Sequence, residues 1–312
     1  MTSNWILNFS LVLIGLFFHG DGIFVDPSIP YKDGPLMTGE LTVTVTIDRS
    51  PKHVKVYFPL QEGEYAVVYF LGGLATLVPA EFYSIFLTKL ASHGFYVFGV
   101  DYDWPIEIRH QDGSSTKYGQ DIDVYFQEID FLQKYMKNRT LAIPDWNITG
   151  LMCHSAGCDV TLKMIEMNKM SFKSSVFLEP YSQLVRKPVQ YTIPALMYGT
   201  QLAFESLFKC NIHGYGFQQF YKQWKCPRVA LEVADFGHCD ILDPIGWEAC
   251  HVSHFCKTTN NTRLGEYRQF VQGVSASFFI STLQGRSNAI NYIVDQSKLT
   301  LKCLVDVADI HC

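Results

Sequence analysis

Two hydrophobic rhythms alternate along this chain. Short, continuous apolar runs recur at residues 65–71 (YAVVYFL), 95–100, 148–152, 175–178, 195–198 and 229–233. Between them, residues 81–92, 122–137, 156–169 and 266–283 place apolar side chains at helical spacing. In 122–137 the residues Ile122, Phe126, Ile129, Leu132 and Met136 share one face. Two early stretches, 41–47 (LTVTVTI) and 54–58, alternate in the β-branched manner of strands. A short apolar run bounded by turn signals suits a strand buried on both faces. Such strands alternating with amphipathic helices predict a mostly parallel sheet with helices on both faces, an α/β class. No internal repeat, linker or low-complexity run interrupts the pattern, so one domain is expected.

Composition narrows the function classes. Of 312 residues, 48% are hydrophobic and 18% charged, which excludes a disordered, collagen-like or simple coiled-coil chain. The net charge is -5 and no run of five basic residues occurs, so no nucleic-acid partner is expected. The first 22 residues stand apart. Residues 5–18 are apolar apart from Asn8, Ser10 and Gly15, too short a run to span a bilayer. The length suits a signal-peptide core, and Gly20-Asp21-Gly22 offers a small-x-small cleavage site. The expected organisation is a signal peptide over 1–22 and a single domain over 23–312, secreted or in the secretory lumen, with no spanning segment.

That compartment changes how nine cysteines read. Cys210, Cys226, Cys250, Cys256, Cys303 and Cys312 lie in loop-like, polar or terminal sequence, and neighbours in sequence are expected to pair: Cys210–Cys226, Cys250–Cys256 and Cys303–Cys312. Cys153, Cys158 and Cys239 sit in tight turns beside the motifs below and are expected to stay reduced. Zinc at Cys250-His251-x-x-His254-x-Cys256 with His238 is the competing reading, and no metal or cofactor is expected. Sequons at Asn138, Asn147 and Asn260 agree with an exposed, secreted surface.

The chemistry concentrates at Cys153-His154-Ser155-Ala156-Gly157, between an expected strand and an expected helix. A nucleophile elbow needs this context: a sharp strand-to-helix turn presents the serine, and small neighbours relieve the crowding. A serine that merely caps the helix is the bland alternative. A base should stand at the C-terminal edge of the sheet, and His238 follows directly on the strand ending at Val233. The orienting acid is expected at Glu179, just past the strand ending at Leu178, with Glu205 as competitor. The oxyanion hole is expected from the N–H of Ala156 and that of Leu74, with Gly73 as near alternative, in Leu71-Gly72-Gly73-Leu74.

These residues carry a family resemblance. Residues 233–243 (VADFGHCDILD) resemble the chlorophyllase segment that reads roughly V-A-x-D-Y-G-H-x-D-M-L-D. Ser92-His93-Gly94-Phe95 matches a family S-H-G-F, and Phe82-Tyr83-Ser84 resembles its F-Y-S. Cys210 and Cys226 bracket an aromatic segment, and Arg268-Gln269-Phe270 with Gly273 resembles the closing helix. The chain is therefore similar to a chlorophyllase from about residue 54 to 285. That resemblance implies an α/β-hydrolase-fold serine esterase with Ser155 as nucleophile, Glu179 as acid and His238 as base. The family elbow reads G-H-S-R-G-G; here it reads C-H-S-A-G-C. The implied reaction frees chlorophyllide and phytol from chlorophyll through an acyl-enzyme. The expected substrate is thus a hydrophobic ester, and residues 181–220, rich in Tyr, Phe, Leu and Met, form either its cleft or ordinary core. Two other readings stay open: a secreted lipid esterase of phospholipid acetyl-hydrolase type, and a non-catalytic binding protein on the same fold.

Overall fold

The structure, a computed structural model, describes residues 30–73, 78–101, 121–182, 184–186, 188–189, 192–205, 210 and 213–310, and the backbone of 106–109 and 115–118. The expected signal segment, Leu74 and Cys312 lie outside these residues.

One nine-stranded sheet organises the chain. Its strands are β1 (Thr38–Val43), β2 (Val54–Pro59), β3 (Gly63–Leu71), β4 (Phe95–Val100), β7 (Ala142–His154), β8 (Phe172–Leu178), β9 (Ala195–Thr200), β10 (Arg228–Val233) and β11 (Cys303–Asp309). The intervening β5 (Ile106–Arg109) and β6 (Ser115–Tyr118) form a separate antiparallel hairpin. The spatial order is β1-β2-β4-β3-β7-β8-β9-β10-β11. From β4 through β10 every pair is parallel; β1, β2 and β11 join antiparallel at the two edges. This is the α/β-hydrolase architecture.

The apolar runs explain the layering. In β3 successive residues point to opposite faces. Ala66, Val68 and Phe70 enter one core, and Val67, Tyr69 and Leu71 the other. The first core is closed by α1 (Ser84–Ser92) and α6 (Leu264–Thr282), through Phe86, Leu90, Phe270 and Val274. The second is closed by α2 (Ile122–Tyr135), α3 (Gly157–Met167) and α4 (Phe217–Gln223), through Ile129, Leu132, Met164 and Phe220. Burying two helix layers against a sheet that is apolar on both sides is what stabilises the parallel core.

Several expectations shift. The strand expected over 148–152 begins at Ala142, and the one expected over 41–47 occupies Thr38–Val43, giving way to a turn that Asp48 closes on Thr44. The helices α4 and α5 (Pro244–Ser253) and the edge strand β11 have no counterpart in the sequence reading. Among the described residues, no helix is long and apolar enough to cross a membrane.

Candidate active site

Parallel strands all end at one edge of the sheet, so loops leaving that edge converge. Ser155 lies in the turn between β7 and α3, with φ +54°. A non-glycine residue adopts this left-handed conformation only when its surroundings hold it there. Here they do. The Ser155 N–H donates to the Leu178 carbonyl at 3.0 Å, and the Ser155 carbonyl accepts from Tyr181 N–H and Cys158 N–H, both at 3.1 Å. Gly157, the last residue of the motif, lets α3 start so close to β3: a Cβ there would stand 2.2 Å from the Gly72 carbonyl oxygen. Ala156 is the N-cap of α3, so its N–H belongs to the amides at a helix start that have no intrahelical partner.

Glu179 is the first residue past β8, also left-handed at φ +46°, and its N–H donates to the Tyr198 carbonyl at 2.7 Å. Its carboxylate is buried, with Oε2 3.6 Å from Nδ1 of His238. Neither that carboxylate nor His238 Nδ1 takes part in a hydrogen bond with another described group. At 3.6 Å the two face each other, and a shift of a few tenths of an ångström makes the bond; such bonds are often long in unliganded enzymes. Glu205 is elsewhere: it is exposed and ion-paired with Lys257. The structure thus brings together Glu179 and His238 and leaves the competing acid on the surface.

The loop carrying His238 is held by Asp240. This buried carboxylate accepts the Gly237 N–H at 2.7 Å, the Thr259 N–H at 3.0 Å and the Trp247 indole N–H at 2.8 Å. Burial pushes its pKa up to about 6, against the three donors. From α6, Arg268 donates to the carbonyls of Asp240 and Leu242. His154 is also buried, its ring 4.6 Å from that of His238. Burial first, and the neighbouring His238 second, hold its pKa well below the usual imidazole value. Trp247, Thr259 and Tyr83 enter the site from other elements and were not singled out from the sequence as site residues. Only Arg268 and Tyr83 carried a signal, as parts of the family-like segments.

The cysteines need correction. Among the described residues, bridges join Cys153–Cys158, Cys239–Cys250 and Cys210–Cys256, with Cα atoms 5.0, 6.4 and 5.8 Å apart. Cys226 is disulfide-bonded but not to Cys210, and Cys250 and Cys256 are not joined to each other. Cys303 is a free thiol, so the expected Cys303–Cys312 bridge is absent. The three thiols expected to stay reduced are all oxidised. At the elbow the reason is geometric: strand-to-helix reversal returns residue i+5 over residue i, which makes room instead of removing it. The sulfurs of Cys239, Cys250 and Cys256 lie within 4.8 Å of one another, the one grouping of metal-ligand type among the described residues. All three are consumed by bridges, and zinc requires thiolates. His251 instead stacks on Trp247.

Phe217 and Phe220 are buried core, packed beneath β8 and β9. A groove of about 610 Å³, lined by Phe126, Trp146, Asn147 and Lys169 among others, opens near the N-terminal ends of β7 and β8, opposite the converging loops. Asn138, Asn147 and Asn260 are all exposed.

Two curated relatives from Arabidopsis thaliana are similar. Chlorophyllase-2 is 24% identical over 271 residues, covering 78% of this chain and 82% of its own length. Chlorophyllase-1 is 24% identical over 295 residues, covering 85% and 87%. The family model described as Chlorophyllase matches residues 28–310, nearly the whole chain, which therefore belongs to the chlorophyllase family.

Proposed function

We propose that this protein is a serine carboxylesterase of chlorophyllase type, acting on a hydrophobic ester in the secretory pathway or outside the cell. The observation that carries the reading is the buried Glu179 carboxylate 3.6 Å from His238 Nδ1, beside the serine turn. An acid in that place selects the His238 tautomer whose Nε2 accepts a proton, and it stabilises the imidazolium that forms.

The reaction then runs in two halves. Ser155 Oγ attacks the ester carbonyl while His238 Nε2 takes its proton. The tetrahedral oxyanion is met by the N–H of Ala156 and, we propose, that of Leu74. Collapse releases the alcohol, which leaves with the proton from His238. Water, deprotonated by the same imidazole, then attacks the acyl-serine, and the acid is freed as Ser155 Oγ takes the proton back from His238. For chlorophyll these products are phytol and chlorophyllide. Family membership and the relatives' names support that substrate, and the exposed sequons support the compartment.

The test is a fluorophosphonate probe followed by a panel of pigment and lipid esters. Wild-type protein should label at Ser155 and hydrolyse the phytyl ester. Ser155→Ala should fold, fail to label and lose at least about a thousandfold in kcat/KM. Labelling with hydrolysis of lipid esters alone would replace the pigment by a lipid substrate. An unlabelled wild type would leave a binding protein on an esterase fold.

A further inference from the structure

The nucleophile turn is backed by a polar chain that the two-step reaction above does not use. Tyr83 lies at the end of a short 3-10 turn (Ala80–Tyr83) leading into α1, and its ring is buried. Its hydroxyl accepts the Gly73 N–H at 2.9 Å and stands 2.8 Å from Nδ1 of His154. A phenol has one proton to give and two lone pairs. The Gly73 N–H occupies one lone pair, and the hydroxyl shares a second hydrogen bond with Nδ1 of a neutral His154. Burial favours both neutral forms, raising the phenol pKa and lowering that of the imidazole.

Gly73 is the second residue after β3, where the chain turns over the serine. A Cβ on Gly73 would stand 3.1 Å from both Ser155 Cβ and His154 Nδ1. The chain there passes so close to the nucleophile that a side chain would crowd it. Because Tyr83 occupies the Gly73 N–H, that group is not a donor to an oxyanion. It is instead an anchor.

We infer that Tyr83 is a positioning residue for the ester-hydrolysing site: its hydroxyl ties the turn after β3 to His154, and so fixes the oxyanion side of the site against Ser155. The inference rests on the serine-esterase reading. His154 serves as the second anchor point, and its ring also backs the His238 ring at 4.6 Å. A rigid tie matters because a displacement of about 1 Å at a reacting centre costs about a hundredfold in rate.

The experiment compares Tyr83→Phe with Tyr69→Phe. Tyr69 is an equally buried phenol on β3 that faces the other core. Rates are taken well below the melting temperature, on an ester that the wild type hydrolyses, together with the rate of fluorophosphonate labelling. Tyr83→Phe should lower kcat about a hundredfold with KM within twofold, and slow labelling in proportion. Tyr69→Phe should leave both rates within twofold. Unchanged rates in Tyr83→Phe with a wild type that labels would overturn this inference alone. Equal losses in the two variants would also overturn it, since a buried phenol would then act only through general packing. A wild type that neither labels nor hydrolyses esters would overturn the esterase reading, and the positioning role with it.

Discussion

The serine turn and the histidine loop stand side by side but are built in opposite ways. Ser155 is held by what is near it in sequence or on the adjoining strand end: Leu178, Tyr181 and a bridge from Cys153 to Cys158, five residues apart. His238 is held by side chains and a bridge from several later elements. Asp240 gathers Trp247 and Thr259, Arg268 reaches back from α6, and Cys239 is bridged to Cys250, near the sulfur of Cys256. Cys256 in turn is joined to Cys210 across 46 residues. A nucleophile on a strand-to-helix turn needs only the turn. A base on a loop needs a scaffold, and here covalent and polar ties supply one.

The largest test asks whether the acid belongs to the histidine side as drawn. Glu179→Gln keeps the shape but lets the wrong imidazole tautomer form. It should lower kcat by roughly a thousandfold to ten-thousandfold, with melting temperature little changed. Glu205→Gln, at an exposed ion pair, should leave kcat within twofold. Steady-state kinetics on both variants decide it, and reversed effects would move the acid to the loop after β9.

Next is the long bridge of the histidine side. Closing a loop of 46 residues restricts the unfolded chain by an amount worth about 4 kcal/mol in the chain-entropy account. The double variant Cys210→Ala with Cys256→Ala should lose about that much in denaturant unfolding. Activity should fall with it, because the bridge anchors the segment that runs past Lys257 to Thr259. Unchanged activity in the folded variant would show that Asp240 alone holds the loop.

Asp240 can be probed through pH. Its folded pKa is raised by burial to about 6, above its unfolded value, so the folded state binds the proton more tightly. Its favourable contribution is complete below about pH 4 and is lost as pH rises through 6. Asp243, also raised to about 6 by burial, acts with the same sign. Asp240 should therefore contribute a downward slope in unfolding free energy worth up to about 3 kcal/mol between pH 4 and 7, opposed by His93 and His154, whose burial lowers their pKa values. Asp240→Asn should flatten that slope. An identical slope in the variant would mean that Asp240 does not titrate in this window.

The same contrast explains what could be read in advance. The parallel core was legible because strands buried on both faces must be continuous apolar runs, as in Tyr65 to Leu71. The serine turn was legible because its requirements are local: small residues between a strand and a helix. Glu179 and His238 were legible as polar residues placed just past strand ends. The bridges were not. Pairing by nearness in sequence assumes that neighbours along the chain are neighbours in space, and the histidine loop breaks that assumption. β11 was missed for a related reason: its alternation in Cys303 to Asp309 belongs to an antiparallel edge, only half buried. Helix α5 had a start signal in Asp243-Pro244, with proline at its first position, but no apolar stripe long enough to register.

The smallest effect is expected at the elbow bridge, and it is the sharpest test of the comparison. Cys153 and Cys158 flank the serine turn and are cross-linked across it. The closed loop spans five residues, which by the same chain-entropy account is worth only about 2 kcal/mol. Both sulfurs are buried, so alanine at each site leaves little more than the volume of a sulfur atom to refill. The double variant Cys153→Ala with Cys158→Ala should lose about 2 kcal/mol of stability, or roughly 4–8 °C in melting temperature for a domain of this size. Its kcat should stay within about threefold of wild type, because main-chain bonds to Leu178 and Tyr181 hold the serine in its left-handed conformation without the bridge. Fluorophosphonate labelling kinetics of the folded variant read this directly. A hundredfold slower reaction at unchanged fold would mean that the serine turn, too, depends on a covalent scaffold, and the distinction between the two regions would collapse.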